Sequence, residues 1–278
     1  GNGDVTRGTR VLVAFSASSP AAEYEVTTNN PITIGTTALV FTLRYGANAT
    51  YDITPAEIAG VTPVNYAHLP GYVRRYSANA NCGNGIVDDT ATVNAAFAQA
   101  GEGGSPVRGY EDDVYLCDPL DETTADNIIV EDLYLRVKPD SWVTPGDGAI
   151  HLFINGGTGH RLTRVTIDGK QSAFTAGSGP TGRLLQFDGG CTDVACVDVS
   201  VVNSPSVGMR DYSKSAQFTR CHFDDNAGLG SDLIVATYHA FTDCTWDRNG
   251  YGYKLTRATN AFTAFGMACI HPDYGFPL

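Results

Sequence analysis

Positive charge is scarce in this chain. Its 278 residues carry 18 Lys and Arg against 30 Asp and Glu, a formal net charge of −12. So acidic a surface repels phosphate backbones and anionic headgroups, which argues against nucleic acid and membrane partners. Neutral glycans remain open as ligands, and acidic ones only through local Arg clusters. Long apolar runs are also lacking: none approaches the ~18–20 residues that span a bilayer, so no membrane insertion is expected. No basic-then-apolar leader precedes the first strands, and the chain opens on Gly1. The expectation is a removed leader or exit from the cell by another route such as lysis. No CxxC spacing occurs among Cys82, Cys117, Cys191, Cys196, Cys221, Cys244 and Cys269. A zinc site is therefore not indicated, and no metal or cofactor is expected. Seven is an odd count, which leaves at least one thiol unpaired.

What the chain does have is Gly, at 31 residues, and apolar residues at 42%. These apolar residues run its whole length, which suits a packed core and not a disordered polymer. Residues 1–68 read as short strands around Val11/Val13/Phe15, Ile32/Ile34, Leu39/Phe41/Leu43 and Tyr51/Ile53. Turn residues separate them, so a small antiparallel all-β module is expected there. Residues 69–120 hold a linker with Pro70 and Gly71, then a helix over Ala91–Ala100 with Asp89 as its N-cap. Gly101, Gly103 and Gly104 end that helix.

Residues 121–278 repeat. Six hexapeptides begin at Val130, Leu162, Cys196, Phe218, Phe241 and Phe262, and positions one, four and six are apolar in every one. Successive starts lie 32, 34, 22, 23 and 21 residues apart. The short separations fit one coil of a parallel β-helix, and the long ones fit a coil carrying a loop of roughly ten residues. Residues 144–148 and 176–182 are Gly-rich and fall where those loops belong. The pattern predicts three inward stacks: Leu162/Cys196/Phe218/Phe241/Phe262, Val165/Val199/Cys221/Cys244/Phe265 and Ile167/Val201/Phe223/Trp246/Met267. Stacked Cys221 and Cys244 fit either two buried thiols or a disulfide. Second strands are expected at Ile150–Ile154, Leu184–Phe187, Val207–Asp211, Leu233–Ala236 and Tyr251–Leu255. Position three alternates in sign through Asp132, Arg164, Asp198, Arg220 and Asp243, which reads as a stabilising charge ladder.

Residues Tyr76–Leu120 resemble the opening of the pectate-lyase-like right-handed parallel β-helix family, as found in bacteriophage tailspikes. The features that carry the resemblance are a Gly-rich turn at Asn81–Gly85, Asp88-Asp89-Thr90, an Ala-rich helix, Gly103-Gly104 and a strand at Val114–Pro119. The likeness extends over roughly residues 72–278. It departs where the family's Gly-Asp-Gly reads Gly83-Asn84-Gly85. The implied fold is an all-β, right-handed parallel β-helix (a solenoid) with a short capping helix, preceded by the small antiparallel module. The implied function is a phage tailspike or tail-fibre protein, a virion homotrimer binding host surface polysaccharide, its N-terminal module meeting other tail proteins. The alternatives are a secreted monomeric polysaccharide lyase or glycoside hydrolase, and a structural virion protein that touches no glycan. The repeats end in mid-coil, so a longer native chain or a partner at that end is expected.

Candidate chemistry lies just after each hexapeptide, at a depolymerase-like pair of carboxylates, Asp224 and Asp247, with Asp225 beside them. Two carboxyls ~5–9.5 Å apart are what glycoside hydrolysis needs. A turn rich in Asp and Asn, including Arg248-Asn249, is the competing reading. His222, Tyr251 and Arg248 are candidate substrate-binding residues, and Tyr238 with His239 are further aromatic candidates. Neither the calcium-site and Arg signatures of pectate lyases nor the Gly-His-Gly of polygalacturonases occurs, so no motif assigns an activity.

Overall fold

The structure, a computed structural model, describes residues 10–13, 22–26, 41–45, 51–121, 123–138, 150–170, 182–234, 238–255 and 262–265. Across them the chain is mostly β, and its two large sheets are parallel. β1 (Arg10–Val13), β2 (Ala22–Val26) and β3 (Phe41–Tyr45) form an antiparallel sheet in that order. Phe15, Ile32, Ile34 and Leu39 lie outside the described residues.

Tyr51 and Ile53 were expected on a strand and are not on one. They lead into α1 (Pro55–Gly60). A capping box decides this: the Glu57 amide donates to Thr54 Oγ1 at 3.2 Å, and the Thr54 amide donates to the Glu57 carboxylate at 2.9 Å. Pro55 at the first helical position adds to the bias. Glu57 then points inward. Arg75, on a 3-10 turn at Val73–Tyr76, donates to both Glu57 oxygens, and Tyr76 Oη donates to one at 3.0 Å. Both charged side chains are fully buried. Burial pushes the Glu57 carboxyl up, but the donors from Arg75, Thr54 and Tyr76 outweigh it and hold it below its usual range.

β4 (Asn84–Asp88) precedes α2 (Thr90–Gly101), on which α1 packs. Asp89 stands at the N-cap position, but its side chain does not cap the helix. The carboxylate is buried and accepts the Gly83 amide at 3.0 Å, which ties the Gly-rich turn to the helix start. The Thr90 amide donates instead to Asp88, at 3.0 Å.

From here the chain alternates between two sheets. A ten-stranded sheet is built on β4, β6 (Val114–Cys117), β7 (Ile129–Val137), β9 (Arg161–Asp168), β11 (Val194–Val197), β14 (Ala216–Thr219), β16 (His239–Thr242) and β18 (Phe262–Phe265), in that spatial order. β5 (Val107–Arg108) pairs with β7, and β12 (Ser200–Val202) pairs with β9. A five-stranded sheet holds β8 (Ile150–Ile154), β10 (Arg183–Phe187), β13 (Val207–Asp211), β15 (Leu229–Leu233) and β17 (Tyr251–Leu255), again in order. Each visit to a sheet lays one parallel strand beside the strand from the previous repeat.

The predicted stacks hold through five repeats. Val130 pairs with Leu162, Leu162 with Cys196, Cys196 with Phe218, and Phe218 with Phe241. Phe218 and Phe241 stack at 4.6 Å between ring centroids, and Phe223 lies 5.4 Å from Trp246. The Trp246 indole donates to Ser231 Oγ at 2.8 Å across the core, so its one polar atom is satisfied. The sixth repeat departs from the expectation. Ala264, not Phe262, pairs with Phe241, and Phe262 pairs with His239. Met267 lies outside the described residues.

One second strand begins earlier than expected. Leu233–Ala236 was expected; β15 runs over Leu229–Leu233, and Val235 and Ala236 lie outside the described residues. Pairing with β13 puts Ser231 beside Met209 and Leu233 beside Asp211. The six described cysteines are free buried thiols, Cys221 and Cys244 included; Cys269 lies outside the described residues. His239, a sugar-stacking candidate, is buried, and its Nε2 lies 2.9 Å from Asp211 and 3.3 Å from Ser213. The His151 imidazole is buried with neither nitrogen hydrogen-bonded, and burial pushes it down to about 3, so it stays neutral.

Position three of the hexapeptide is the bend. Asp132, Arg164, Asp198, Arg220 and Asp243 all adopt left-handed backbone, with φ between 51° and 55°. Charges of neighbouring repeats then meet: Arg164 binds both carboxylate oxygens of Asp132, and Arg220 binds Asp198 at 2.7 and 2.8 Å. Arg164 and Arg220 hold the Asp132 and Asp198 carboxyls below their usual range.

Two predictions follow from these features. Arg75→Ala strands a buried carboxylate and should cost about 3–5 kcal/mol in urea unfolding, whereas Glu57→Gln with Arg75→Met should recover much of that loss. Arg220→Asn, which tolerates left-handed backbone, should leave the urea midpoint close to that of the parent protein, whereas Arg220→Val, β-branched at the same φ, should lower it clearly.

Candidate functional site

Position five of each hexapeptide points away from the core. In register these residues form one line on the ten-stranded sheet: Tyr134, Thr166, Ser200, His222 and Thr245. Five rungs at strand spacing make a polar strip about 19 Å long. The line of residues two further on, Arg136, Asp168, Val202, Asp224 and Asp247, borders it on one side. The charged bends border it on the other.

At the far end of this strip, His222 Nδ1 lies 2.8 Å from Thr245 Oγ1, and that hydroxyl lies 3.0 Å from both Asp224 oxygens. The Asp247 amide also donates to Asp224, at 2.7 Å. Thr245 has a single proton, and an ionised carboxylate can only accept. Thr245 therefore donates to Asp224 and accepts from His222 Nδ1–H, an assignment made from the network. This tautomer leaves His222 Nε2 as an acceptor on a half-exposed ring, able to take a proton or hydrogen bond from a ligand hydroxyl.

The other sequence candidates separate. Asp225 is bound through both oxygens by Arg248, at 2.5 and 2.6 Å, and both adopt left-handed backbone. Beneath them Asn226, which is buried, and the half-buried Asn249 make an amide ladder: the Asn226 amide donates to Asn249 Oδ1 at 2.9 Å, and the Ser204 amide donates to Asn226 Oδ1 at 2.9 Å. Asp225 and Arg248 thus belong to a turn that holds repeats together. Tyr251 is on β17 of the five-stranded sheet, away from the strip. The geometry brings together His222, Thr245, Asp224 and the Asp247 backbone.

Two further features were missed in the sequence. The first is a network around Asp168. Asp168 accepts from Tyr134 Oη at 3.0 Å, Arg136 Nε at 3.1 Å, Asn203 Nδ2 at 3.0 Å and the Lys170 amide at 2.9 Å. Burial pushes this carboxyl up, but the four donors outweigh burial and hold it below its usual range. The second is a cavity of about 580 Å³ at the start of the strip, with Tyr134, Thr166, Asp132 and Arg164 as floor and Tyr72, Gly109, Tyr110 and Glu111 as wall. Gly71 makes the wall possible: its φ is +88°, and a Cβ there would come within 2.1 Å of the Pro106 carbonyl oxygen. Its freedom lets Tyr72 bridge to Arg108 beside β7.

No protein-family model matches the chain, and neither a curated protein nor a solved structure does. Among the described residues no cluster of three or more His, Cys, Asp or Glu is placed to hold a metal ion, and no helix is long and apolar enough to cross a membrane.

Asp168 generates a pH prediction. Its native carboxyl titrates below the ordinary ~3.9, so its stabilisation is present above about pH 4 and lost as pH falls through the lowered native value. Asp168→Asn should cost roughly 1–3 kcal/mol at pH 7 and flatten the acid limb of a stability–pH curve measured by denaturant unfolding.

Proposed function

We propose that this chain is a right-handed parallel β-helix of the pectate-lyase-like kind that binds host surface polysaccharide as a phage tailspike or tail-fibre protein. The observation that carries the reading is the strip: hydroxyls, an imidazole and a tyrosine stand at one repeat distance on a rigid parallel sheet. An extended polymer with recurring hydroxyls presents complementary groups at recurring distances, and a pre-ordered surface adds little ordering cost on binding. Alternation between two parallel sheets, and spacings near 22 residues per circuit, support the solenoid. In this reading residues 1–68 attach to other tail proteins, residues 69–120 enter and cap the helix, residues 121–278 bind glycan, and the active form is a virion homotrimer.

The His222–Thr245–Asp224 relay favours a second reading, in which the bound glycan is also cleaved, by a tailspike depolymerase or by a secreted monomeric lyase or hydrolase. A relay that fixes one imidazole tautomer is what a general base needs.

Light scattering with a glycan-binding screen tests both. A mass near three times 29.5 kDa together with polysaccharide binding is the expected result. A monomer that shortens polysaccharide would move the assignment to the secreted enzyme. Thr245→Val and Asp224→Asn should then abolish cleavage; full activity in both would remove the relay from the mechanism.

A further inference from the structure

We propose that the cavity between Tyr72, Tyr110, Tyr134, Arg164 and Thr166 is a subsite for one uncharged sugar ring, with the braced Tyr110 as its aromatic wall. The inference rests on the glycan-binding reading and adds to it a position and a ligand charge.

Tyr110 is the first argument. It is 38% exposed, and an exposed aromatic side chain ordinarily keeps its freedom. Here three neighbours hold it. Tyr72 stacks on it at 4.6 Å, His68 Nδ1 lies 2.8 Å from its hydroxyl, and the Arg74 guanidinium lies 5.7 Å from its ring centre. Arg74 is itself held by both oxygens of Asp113. Burial and the Arg74 charge hold the His68 imidazole below its usual range, so it can serve as a neutral partner to the phenol. Nothing in core packing requires such bracing of a surface ring. A ring fixed before binding presents its exposed part at little entropic cost, as an apolar wall against which the C–H groups of a sugar can pack.

Charge is the second argument. Arg164 is the cation in the cavity lining, and Asp132 neutralises it through two hydrogen bonds. Glu111 remains, so the lining is net negative, as is the chain. A uronate or sialate would meet repulsion without a free cation to answer it. Hydroxyls of a neutral ring would find acceptors in Glu111 and Asp132 and a donor in Thr166.

Continuity is the third argument. Tyr134 and Thr166 are the first two rungs of the strip and also the floor of the cavity. A ring seated on Tyr110 is therefore in line with a chain lying over Ser200 and His222.

The test uses the full chain and a panel of neutral and uronate-containing bacterial tetra- to octasaccharides, with affinities measured by calorimetry. Expected are binding of neutral members, a loss of about tenfold or more in Tyr110→Ala, and near-native affinity in Tyr110→Phe, which keeps the ring. Equal melting temperatures would show that the Tyr110→Ala loss is local; a Tyr110→Ala protein that melts early is replaced by Thr166→Ala, for which weakened binding is again expected. If neutral glycans bind and His222→Ala weakens them while Tyr110→Ala and Thr166→Ala do not, the subsite is overturned and the glycan reading stands. Preference for uronate-containing members overturns the charge assignment. Binding of no member overturns the subsite together with the reading on which it rests.

Discussion

Equal height between neighbouring repeats is the constraint on which everything else here depends. Parallel strands satisfy their amides and carbonyls only if each repeat lies flat on the last, and so every repeat must bend at the same place. The left-handed residues at position three are that bend. L-amino acids resist this conformation, and Asp, Asn and Gly resist it least. Arg164 and Arg220 are neither Asp, Asn nor Gly, yet they occupy it, and each meets an Asp one repeat below. The alternating charge ladder is therefore compatible with the bend and draws consecutive bends together. The Asp225–Arg248 pair repeats the device at the next corner, above the Asn226–Asn249 amide ladder.

Inside the bends the packing is one-dimensional. Leu162, Cys196, Phe218 and Phe241 pair with their own counterparts above and below, and Phe218 and Phe241 also meet Phe223 and Trp246 of the neighbouring stack. Stacked parallel repeats of this kind draw much of their stability from contacts between neighbours, along one continuous core. The Glu57–Arg75–Tyr76 cluster lies outside this scheme. It is a buried ionic knot that fastens α1 to the 3-10 turn, at the end where the repeats begin.

The repeat was legible in the sequence because apolar residues at positions one, four and six leave a strong signal. The strands at Ile150–Ile154, Val207–Asp211 and Tyr251–Leu255 carry such signals too. What stayed hidden was set by contacts between distant residues. Ser231 sits on a strand in register with β13 and accepts the Trp246 indole N–H, contacts that no local apolar pattern announces. Phe262 pairs with His239, two residues from the expected register, a pairing that the apolar spacing alone does not announce. Asp89 looked like a cap because its neighbours in sequence permit one, but Gly83 claims its carboxylate. The site was half visible: His222 and Asp224 were named, but not the hydroxyl that joins them. The cavity at the other end was invisible, because Tyr72 and Tyr110 meet Tyr134 and Arg164 only after the chain has folded over itself.

The polar strip also has modular geometry. His222 and Thr245 are 23 residues apart and adjacent on the surface. Each rung is placed by the repeat beneath it. Inserting or deleting one whole repeat would therefore lengthen or shorten the polar strip by a single step and leave the chemistry of the remaining rungs intact. A surface of this kind can change its length by counting, through gene duplication, before any side chain changes.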